Sequence, residues 1–328
     1  MASPSTNRPS SRPPPGPTSP LCTTVRCSPP SASAPPCRCR RNSILAGWPR
    51  SDRSTDLVID SLISLRPGQS HLDVQTTVHN TADDHRMRVL LPSGTKALTY
   101  QADTPFDVVT RPVALRADNH TYRELEVETK PQQTWTAVHD ARRGLAVVAD
   151  GSLLETAVRD LPGRPIALTL FRGTRRTVFT NGEPEGQQRG PLTFRYALVP
   201  LAGAPDPVQL GRLGQHLAAG LRTVQLRAAD IAIHRQSRAV PTEAGLLRVD
   251  GPALVSSLRA VGPELELRLF NPAARRIRVR VTAGSAGFRL RRAAHIDFEG
   301  NLLAKLRCDR TGLPLVLQPK QILTVRLG

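Results

Sequence analysis

The chain has 328 residues, with 45 Lys and Arg against 27 Asp and Glu, so its formal net charge is +18. A chain of this length can bury a sizeable core and ordinarily holds two domains. Only 4% of the residues are aromatic, which leaves few rings to stack on bases, and no apolar run is long enough to cross a membrane. The composition therefore disfavours a nucleic-acid partner and predicts no membrane partner.

Residues 1–50 are predicted to form a disordered leader. Met1–Ser51 contains no Asp or Glu, seven Arg and 12 of the 30 Pro, and such a segment cannot bury enough apolar surface to offset its ordering entropy. Its composition resembles an organellar transit peptide, but a leader without function is an equally good interpretation. Prolines interrupt every apolar run that a secretory signal would need, so we expect a cytoplasmic chain.

The cysteines predict neither a metal site nor a disulfide. Cys22, Cys27, Cys37 and Cys39 lie in the leader, where the last two are too close together for the usual zinc knuckle. Cys308 stands without a partner in the rest of the chain. This usage fits a reducing compartment.

Apolar and polar residues alternate with period two after the leader, which predicts many short β-strands in an antiparallel sandwich. Turn-forming residues separate the strands, and we assign residues 51–201 to this large β-sandwich. The predicted strands are His71–Asn80, Arg86–Gly94, Arg123–Thr129, Thr134–Asp140, Gly144–Asp150, Pro165–Phe171 and Leu192–Pro200.

A second, smaller set of strands follows a break in the pattern. Pro207–Leu226 has no period-two alternation, and we expect a helical turn inside a connector of residues 202–240. Residues 241–328 are then predicted to form a small terminal β-sandwich. Its strands are Leu246–Gly251, Ala253–Val261, Leu265–Pro272, Arg275–Val281 and Ile322–Leu327.

Several collinear segments resemble the C-terminal half of glycoside hydrolase family 38, the α-mannosidases. They are Asp83–Gly94, Gln101–Pro112, Pro131–Gly151, Ile166–Gly173, Gly190–Pro200, Val249–Pro272 and Leu317–Leu327. The resemblance covers about Leu57 to Gly328. It implies an all-β fold, in which a mutarotase-like large antiparallel β-sandwich, truncated at its N-terminus, precedes the small terminal β-sandwich.

The resemblance also implies that the catalytic groups lie elsewhere. The family uses an Asp nucleophile and a zinc ion held by His and Asp side chains, on an α/β barrel that precedes the region seen in this sequence. We therefore expect no catalytic residue, metal ligand or cofactor in this chain, and no hydrolysis of α-mannosides by it alone. His295 and Asp297 have the spacing of a zinc pair, but we expect a solvated strand end there.

One loop, Ala102–Pro112, carries the residue types of a sugar site. Asp103, Phe106, Asp107 and Arg111 combine hydrogen-bonding groups with an aromatic face, as carbohydrate sites do. The competing interpretation is that Phe106 anchors the loop in the core while the two carboxylates hold turns.

Three functions compete. The first is a truncated α-mannosidase-like protein of carbohydrate metabolism. The second is a non-catalytic carbohydrate-binding or assembly module that partners a separate catalytic barrel half. The third, a nucleic-acid adaptor driven by the basic leader, is the weakest. If the strands that would precede Ser54 are missing, the sheet should expose an unpaired edge.

Overall fold

The computed structural model of the chain describes residues 23–27, 37–40, 51–175, 183–225, 227 and 243–328. The first strands are β1 (Thr23–Cys27), β2 (Cys37–Arg40), β3 (Ser54–Leu65), β4 (Leu72–Asn80), β5 (Arg86–Leu91), β6 (Thr99–Thr104), β7 (Asp107–Pro112), β8 (Thr129–Pro131), β9 (Trp135–His139), β10 (Gly144–Ala149), β11 (Glu155–Val158), β12 (Ile166–Arg172) and β13 (Gly190–Leu201). Helix α1 (Pro207–Ala219) follows, and then come β14 (Leu247–Asp250), β15 (Leu254–Val261), β16 (Glu264–Phe270), β17 (Ile277–Ala283), β18 (Ala293–Ile296), β19 (Leu302–Leu306), β20 (Leu313–Leu317) and β21 (Ile322–Leu327). Two 3-10 helices cover Asn119–Thr121 and Pro184–Gly186. No helix among the described residues has the length and apolar character needed to span a bilayer.

Two antiparallel sheets pack face to face in the first half of the chain. One has the order β1-β3-β4-β13-β10-β9-β6-β7, with β2 also paired to β3, and the other has the order β5-β12-β11-β8. Their facing sides share one core that includes the fully buried Val78, Val138, Val147, Ile166 and Leu168. Because neighbouring side chains on a strand point to opposite faces, the large sheet has a second face left to cover.

Helix α1 covers that second face. Asp206 caps its N-terminus by accepting hydrogen bonds from the backbone N–H groups of Val208 and Gln209, and Pro207 suits the first helical position because it has no N–H to satisfy. The helix ends at Ala219, and Gly220 caps it with a φ of 59°. Its apolar side packs on the large sheet, with Leu210, Leu213 and Leu217 against Trp135, Ala146, Val148 and Ala197.

The strands after α1 form a second antiparallel sandwich. Its sheets have the orders β14-β17-β20 and β15-β16-β21-β18-β19. The core between them is built from alternate residues of these strands, among them Leu267, Leu269, Val281, Leu317 and Val325. No sheet in the described part of the chain takes strands from both sides of α1.

The prediction of an antiparallel all-β fold with a β-sandwich is confirmed. Strands β4, β9 and β10 lie within the predicted runs, and β12 and β13 overlap theirs but extend slightly beyond them. One predicted strand is wrong: Arg123–Thr129 is irregular, apart from the first residue of β8. The side chain of Asn119 bonds both backbone groups of Glu126, at 2.7 and 2.8 Å, which removes them from any sheet ladder.

The edge of β3 is paired with other strands, whereas an unpaired edge was expected. Strands β1 and β2 lie inside the segment predicted to be disordered, and both pair antiparallel with β3. The free N–H and C=O groups of a sheet edge can recruit a short strand that has no core of its own. The expected unpaired edge at β3 is therefore covered. The rest of the leader, including Cys22, lies outside the described residues.

Candidate functional site

The segment predicted to be a sugar-contacting loop is a β-hairpin. Strands β6 and β7 pair from Thr99 with Pro112 to Thr104 with Asp107, so only Pro105 and Phe106 form the turn. Phe106 has a φ of 56°, the left-handed region that the third residue of a tight turn after proline requires. The turn presents the Phe106 ring at the tip of the hairpin.

Asp103 fastens the hairpin to the start of β9. Its Oδ1 atom accepts hydrogen bonds from the backbone N–H groups of Gln133, Thr134 and Trp135, at 3.1, 2.8 and 2.8 Å. Its Oδ2 atom accepts one from the Thr134 hydroxyl at 2.5 Å. Burial raises the pKa of the Asp103 carboxyl, although these hydrogen bonds oppose the rise. The carboxylate is thus buried and committed to the backbone of the neighbouring segment.

The tip of the hairpin contacts the small sandwich. The ring of Phe106 stands perpendicular to that of Phe270, with 5.8 Å between centroids. The Asp107 carboxylate lies 2.6 Å from Nζ of Lys320, which also donates to the carbonyl of Pro272. Burial opposes ionisation of Asp107, but the hydrogen bonds from Lys320 and the Val108 N–H outweigh it, so its pKa lies below the ordinary value.

A cleft of about 220 Å³ opens where the hairpin, α1 and the small sandwich meet. Three of the predicted residues, Asp103, Phe106 and Asp107, line it. The others in its wall are Thr104, Pro105, Val108, Gln133, Trp135, Pro207, Gly211, Gln215, Leu254, Ser256, Phe270 and Pro272. The fourth predicted residue, Arg111, lies outside the cleft, where it donates to the carbonyl of Pro131 at 2.7 Å.

The cleft offers one aromatic surface and a few uncharged hydrogen-bonding groups. Phe106 keeps 40% of its surface exposed. The Gln133 carboxamide has no hydrogen-bond partner among the described residues, while that of Gln215 donates to the carbonyl of Val255. We call this site the Phe106 cleft.

The carboxylates of the Phe106 cleft do not form an acid–base pair. Retaining glycoside hydrolysis needs one free carboxylate as nucleophile and a second carboxyl group that transfers the proton. Asp103 is saturated with hydrogen bonds, and Asp107 is held by Lys320. Neither carboxylate of the Phe106 cleft is therefore free to act as the nucleophile or as the proton-transferring group.

The described residues also do not fit a zinc ion. They contain no group of three or more His, Cys, Asp and Glu side chains placed to hold a metal. His295 lies on β18, and Asp297 follows that strand with its carboxylate occupied by the N–H groups of Glu299 and Asn301 and by the Asn301 amide. Asp297 thus organises the turn between β18 and β19.

Sequence reasoning missed the part of the cleft contributed by distant elements. Phe270, Gln215 and Gly211 come from β16 and α1, far beyond the hairpin in the chain. No local pattern marks them, because apolar or helical positions of this kind are ordinary core or surface residues when read alone. Only the packing of α1 between the two sandwiches brings them to Phe106.

Comparison with known proteins gives a match to a family model, to a curated protein and to solved structures. Residues 33–176 match the family model described as "Glycosyl hydrolases family 38 C-terminal domain". A curated protein of Halalkalibacterium halodurans, named "Putative mannosylglycerate hydrolase", is 36% identical over 63 residues, which are 19% of this chain and 7% of that protein.

Two solved structures from Enterococcus faecalis share the fold. An alpha-mannosidase superposes with a TM-score of 0.69 and 22% identity, over 86% of this chain and 30% of its own. A protein in the glycosyl hydrolase family 38 gives a TM-score of 0.69 and 20% identity, over 94% of this chain and 36% of its own. This chain thus corresponds to a minor part of each of these larger proteins.

Proposed function

We propose that the chain is the β-sandwich part of an α-mannosidase-type glycoside hydrolase, because residues 33–176 match the model of the glycosyl hydrolase family 38 C-terminal domain. The observation that carries the proposal is the likeness in fold over 86% of the chain to a larger alpha-mannosidase. The chain would then serve the metabolism of mannose-containing carbohydrates.

In this proposal the chain does not cleave glycosides by itself. The support is chemical: both carboxylates of the Phe106 cleft are engaged, and the described residues form no metal-binding group. A separate α/β barrel half would supply the nucleophile and the zinc ion.

Hydrolysis of 4-nitrophenyl α-mannoside by the purified chain tests this proposal. We expect no release of 4-nitrophenol above the buffer rate, with added zinc or with a chelator, because no free pair of carboxylates faces the cleft. Turnover that requires zinc and disappears with the chelator would contradict the proposal that this chain does not cleave glycosides by itself.

The Phe106 cleft supports a second function, binding of a neutral sugar. Its lining places Phe106, Gln133 and Ser256 around one space, and an aromatic face beside amide and hydroxyl groups suits the apolar face and hydroxyls of a pyranose. Phe106 and Asp107 would contact the sugar, whereas Asp103 would hold the hairpin and Arg111 would stay outside.

Binding of mannobiose to the full chain, measured by isothermal titration calorimetry, tests the cleft. Phe106→Ala should weaken the affinity about tenfold, because it removes the stacking surface. Phe298→Ala is the matched control, since Phe298 is 62% exposed and lies over Arg268 on the small sandwich. Equal affinities of the two variants, or no saturable signal for the unaltered chain, would refute a sugar site there.

A further inference from the structure

A second cleft lies on the outer face of the small sandwich, at one end of its five-stranded sheet. It has a volume of about 560 Å³. Ala294 of β18 pairs with Arg326 of β21 on one side and with Lys305 of β19 on the other. Directly opposite residues on neighbouring strands have Cβ atoms about 5 Å apart and share a face. Two cationic side chains therefore flank the small Ala294 methyl group, which leaves the space between them open.

Two more cations border the same cleft, which we call the Lys305 cleft. Arg291 and Arg292 line it, and both of their backbone N–H groups donate to one carboxylate oxygen of the last residue, Gly328, at 2.8 and 2.7 Å. These hydrogen bonds fix the backbone positions from which the two arginine side chains extend. The cations come from three separate parts of the chain and converge on one space.

The charges of the Lys305 cleft are only partly neutralised. Two acidic groups also line the cleft, the Glu264 side chain and the carboxylate of the last residue, Gly328. Arg326 lies 2.7 Å from Glu266 and 3.9 Å from Glu264, and the Arg292 guanidinium, which is 80% exposed, lies 3.9 Å from Glu264. Four cationic side chains thus stand against these three acidic groups. Within the described residues, Lys305 and Arg291 have no carboxylate within the 4.0 Å of an ion pair. Positive charge thus remains at the open side of the cleft.

One wall of the Lys305 cleft is apolar. It includes Leu302, which is 59% exposed, together with Ala294, Ile296 and Leu306. The cleft is much larger than a free phosphate ion, and a ligand that fills it needs an uncharged body beside its anionic group. Lys and Arg side chains bind phosphate and carboxylate oxygens through charge-assisted hydrogen bonds.

We propose that the Lys305 cleft binds a sugar-sized ligand that carries a phosphate or carboxylate group. The oxyanion lies between Lys305 and Arg292, and the uncharged body rests against Leu302. Arg326, already paired with Glu266, positions the cleft and contributes less charge. This site is separate from the Phe106 cleft, which suits neutral sugars.

Isothermal titration of the full chain at low ionic strength tests the site. The probes are mannose 6-phosphate, glucuronate, inorganic phosphate and mannose. We expect saturable binding of the two charged sugars, with the tighter of the two identifying the preferred oxyanion. We expect inorganic phosphate to bind at least about fivefold more weakly than mannose 6-phosphate, and mannose not to bind at this cleft.

Charge-reversal variants separate the site from the general basic charge of the protein. Arg292→Glu with Lys305→Glu should weaken binding of the charged sugars by at least about tenfold. Arg276→Glu with Arg278→Glu is the matched control. These two exposed side chains lie at the start of β17, in the three-stranded sheet, and the change in net charge is identical. Phe106→Ala should leave this binding unchanged, so a failure here is distinct from a failure of the proposed function.

Three results would overturn the proposal. Equal weakening by the two double variants would mean that binding follows net charge. Equal affinity for mannose and mannose 6-phosphate would mean that the anionic group does not contribute to binding. Equal affinity for inorganic phosphate and mannose 6-phosphate would mean that the sugar body does not contribute to binding. Leu302→Ser checks that point independently, because it should weaken the binding of mannose 6-phosphate but not that of phosphate.

Discussion

Asp103 illustrates how one carboxylate can serve the fold at a site whose composition suggests ligand binding. Only 9% of the residue is exposed, and three backbone N–H groups and one hydroxyl donate to it. Because the acceptor is charged and buried, its removal leaves donors without a partner in a place that water reaches poorly. Asp107, at the tip of the same hairpin, is instead about half exposed and has one ion-pair partner, Lys320.

We therefore predict different stability costs for the two carboxylates. Asp103→Ala should lower the free energy of unfolding by about 3 kcal/mol, whereas Asp107→Ala should cost less than about 1 kcal/mol, as surface ion pairs do. Asp103→Asn, which keeps one acceptor oxygen, should fall between them. Urea denaturation followed by circular dichroism measures all three, and similar small losses for both alanine variants would contradict the anchoring role of Asp103.

At the residue scale, the sequence could identify the hairpin as a candidate site but not assign its roles. Asp103, Phe106 and Asp107 stand close together in the chain, so their residue types were visible at once. Which carboxylate is buried depends on the segment Gln133–Trp135, and the partner of Phe106 is Phe270. Neither contact leaves a local signal, and Arg111, four residues beyond Asp107, lies outside the cleft.

At the element scale, α1 packs so closely on the large sheet that one position requires glycine. A Cβ atom on Gly214 would lie 2.6 Å from Oγ1 and 2.7 Å from Cβ of Thr134, whose backbone and hydroxyl are already bound to Asp103. A Cβ atom on Gly211 would instead meet the end of the Leu254 side chain at 2.9 Å, which can rotate away.

These neighbours predict opposite outcomes for two substitutions in one helix. Alanine favours helix over glycine by about 1 kcal/mol at either position. At Gly214 the overlap with Thr134 should cost more than this gain, so Gly214→Ala should destabilise the chain by about 1–2 kcal/mol. Gly211→Ala should be neutral or slightly stabilising. Thermal denaturation compares the two, and a stabilising Gly214→Ala would show that α1 packs less closely than the structure indicates.

Period-two alternation is clearest in strands whose two faces have different surroundings. Strand β13 alternates between the core shared with the second sheet and the face under α1, and β4 has a buried and a more open face. The rule fails where something other than burial decides the backbone. Arg123–Thr129 alternates in sequence, but the Asn119 side chain takes the hydrogen bonds of Glu126. Strands β1 and β2 exist as partners of β3 and carry little signal of their own.

At the scale of the whole molecule, α1 and the hairpin tip connect the two sandwiches. On the α1 side, Arg212 donates to the carbonyls of Gly251 and Ala253 at 2.9 and 3.2 Å, and Gln215 donates to that of Val255 at 2.8 Å. On the hairpin side, Lys320 bridges to Asp107. The same helix is packed on the large sheet through its apolar side, so loosening either sandwich disturbs contacts of the other.

We accordingly predict that the full chain unfolds in one cooperative transition. Differential scanning calorimetry should give a calorimetric enthalpy equal to the van't Hoff enthalpy, which is the signature of two-state unfolding. The triple variant Arg212→Ala, Gln215→Ala and Lys320→Ala removes the polar links while leaving both cores intact, and it should split the peak into two. Arg248→Ala, which breaks a surface pair with Asp250, controls for loss of charge and should keep one peak. Two transitions in the unaltered chain would mean that each sandwich folds on its own and that α1 only joins them.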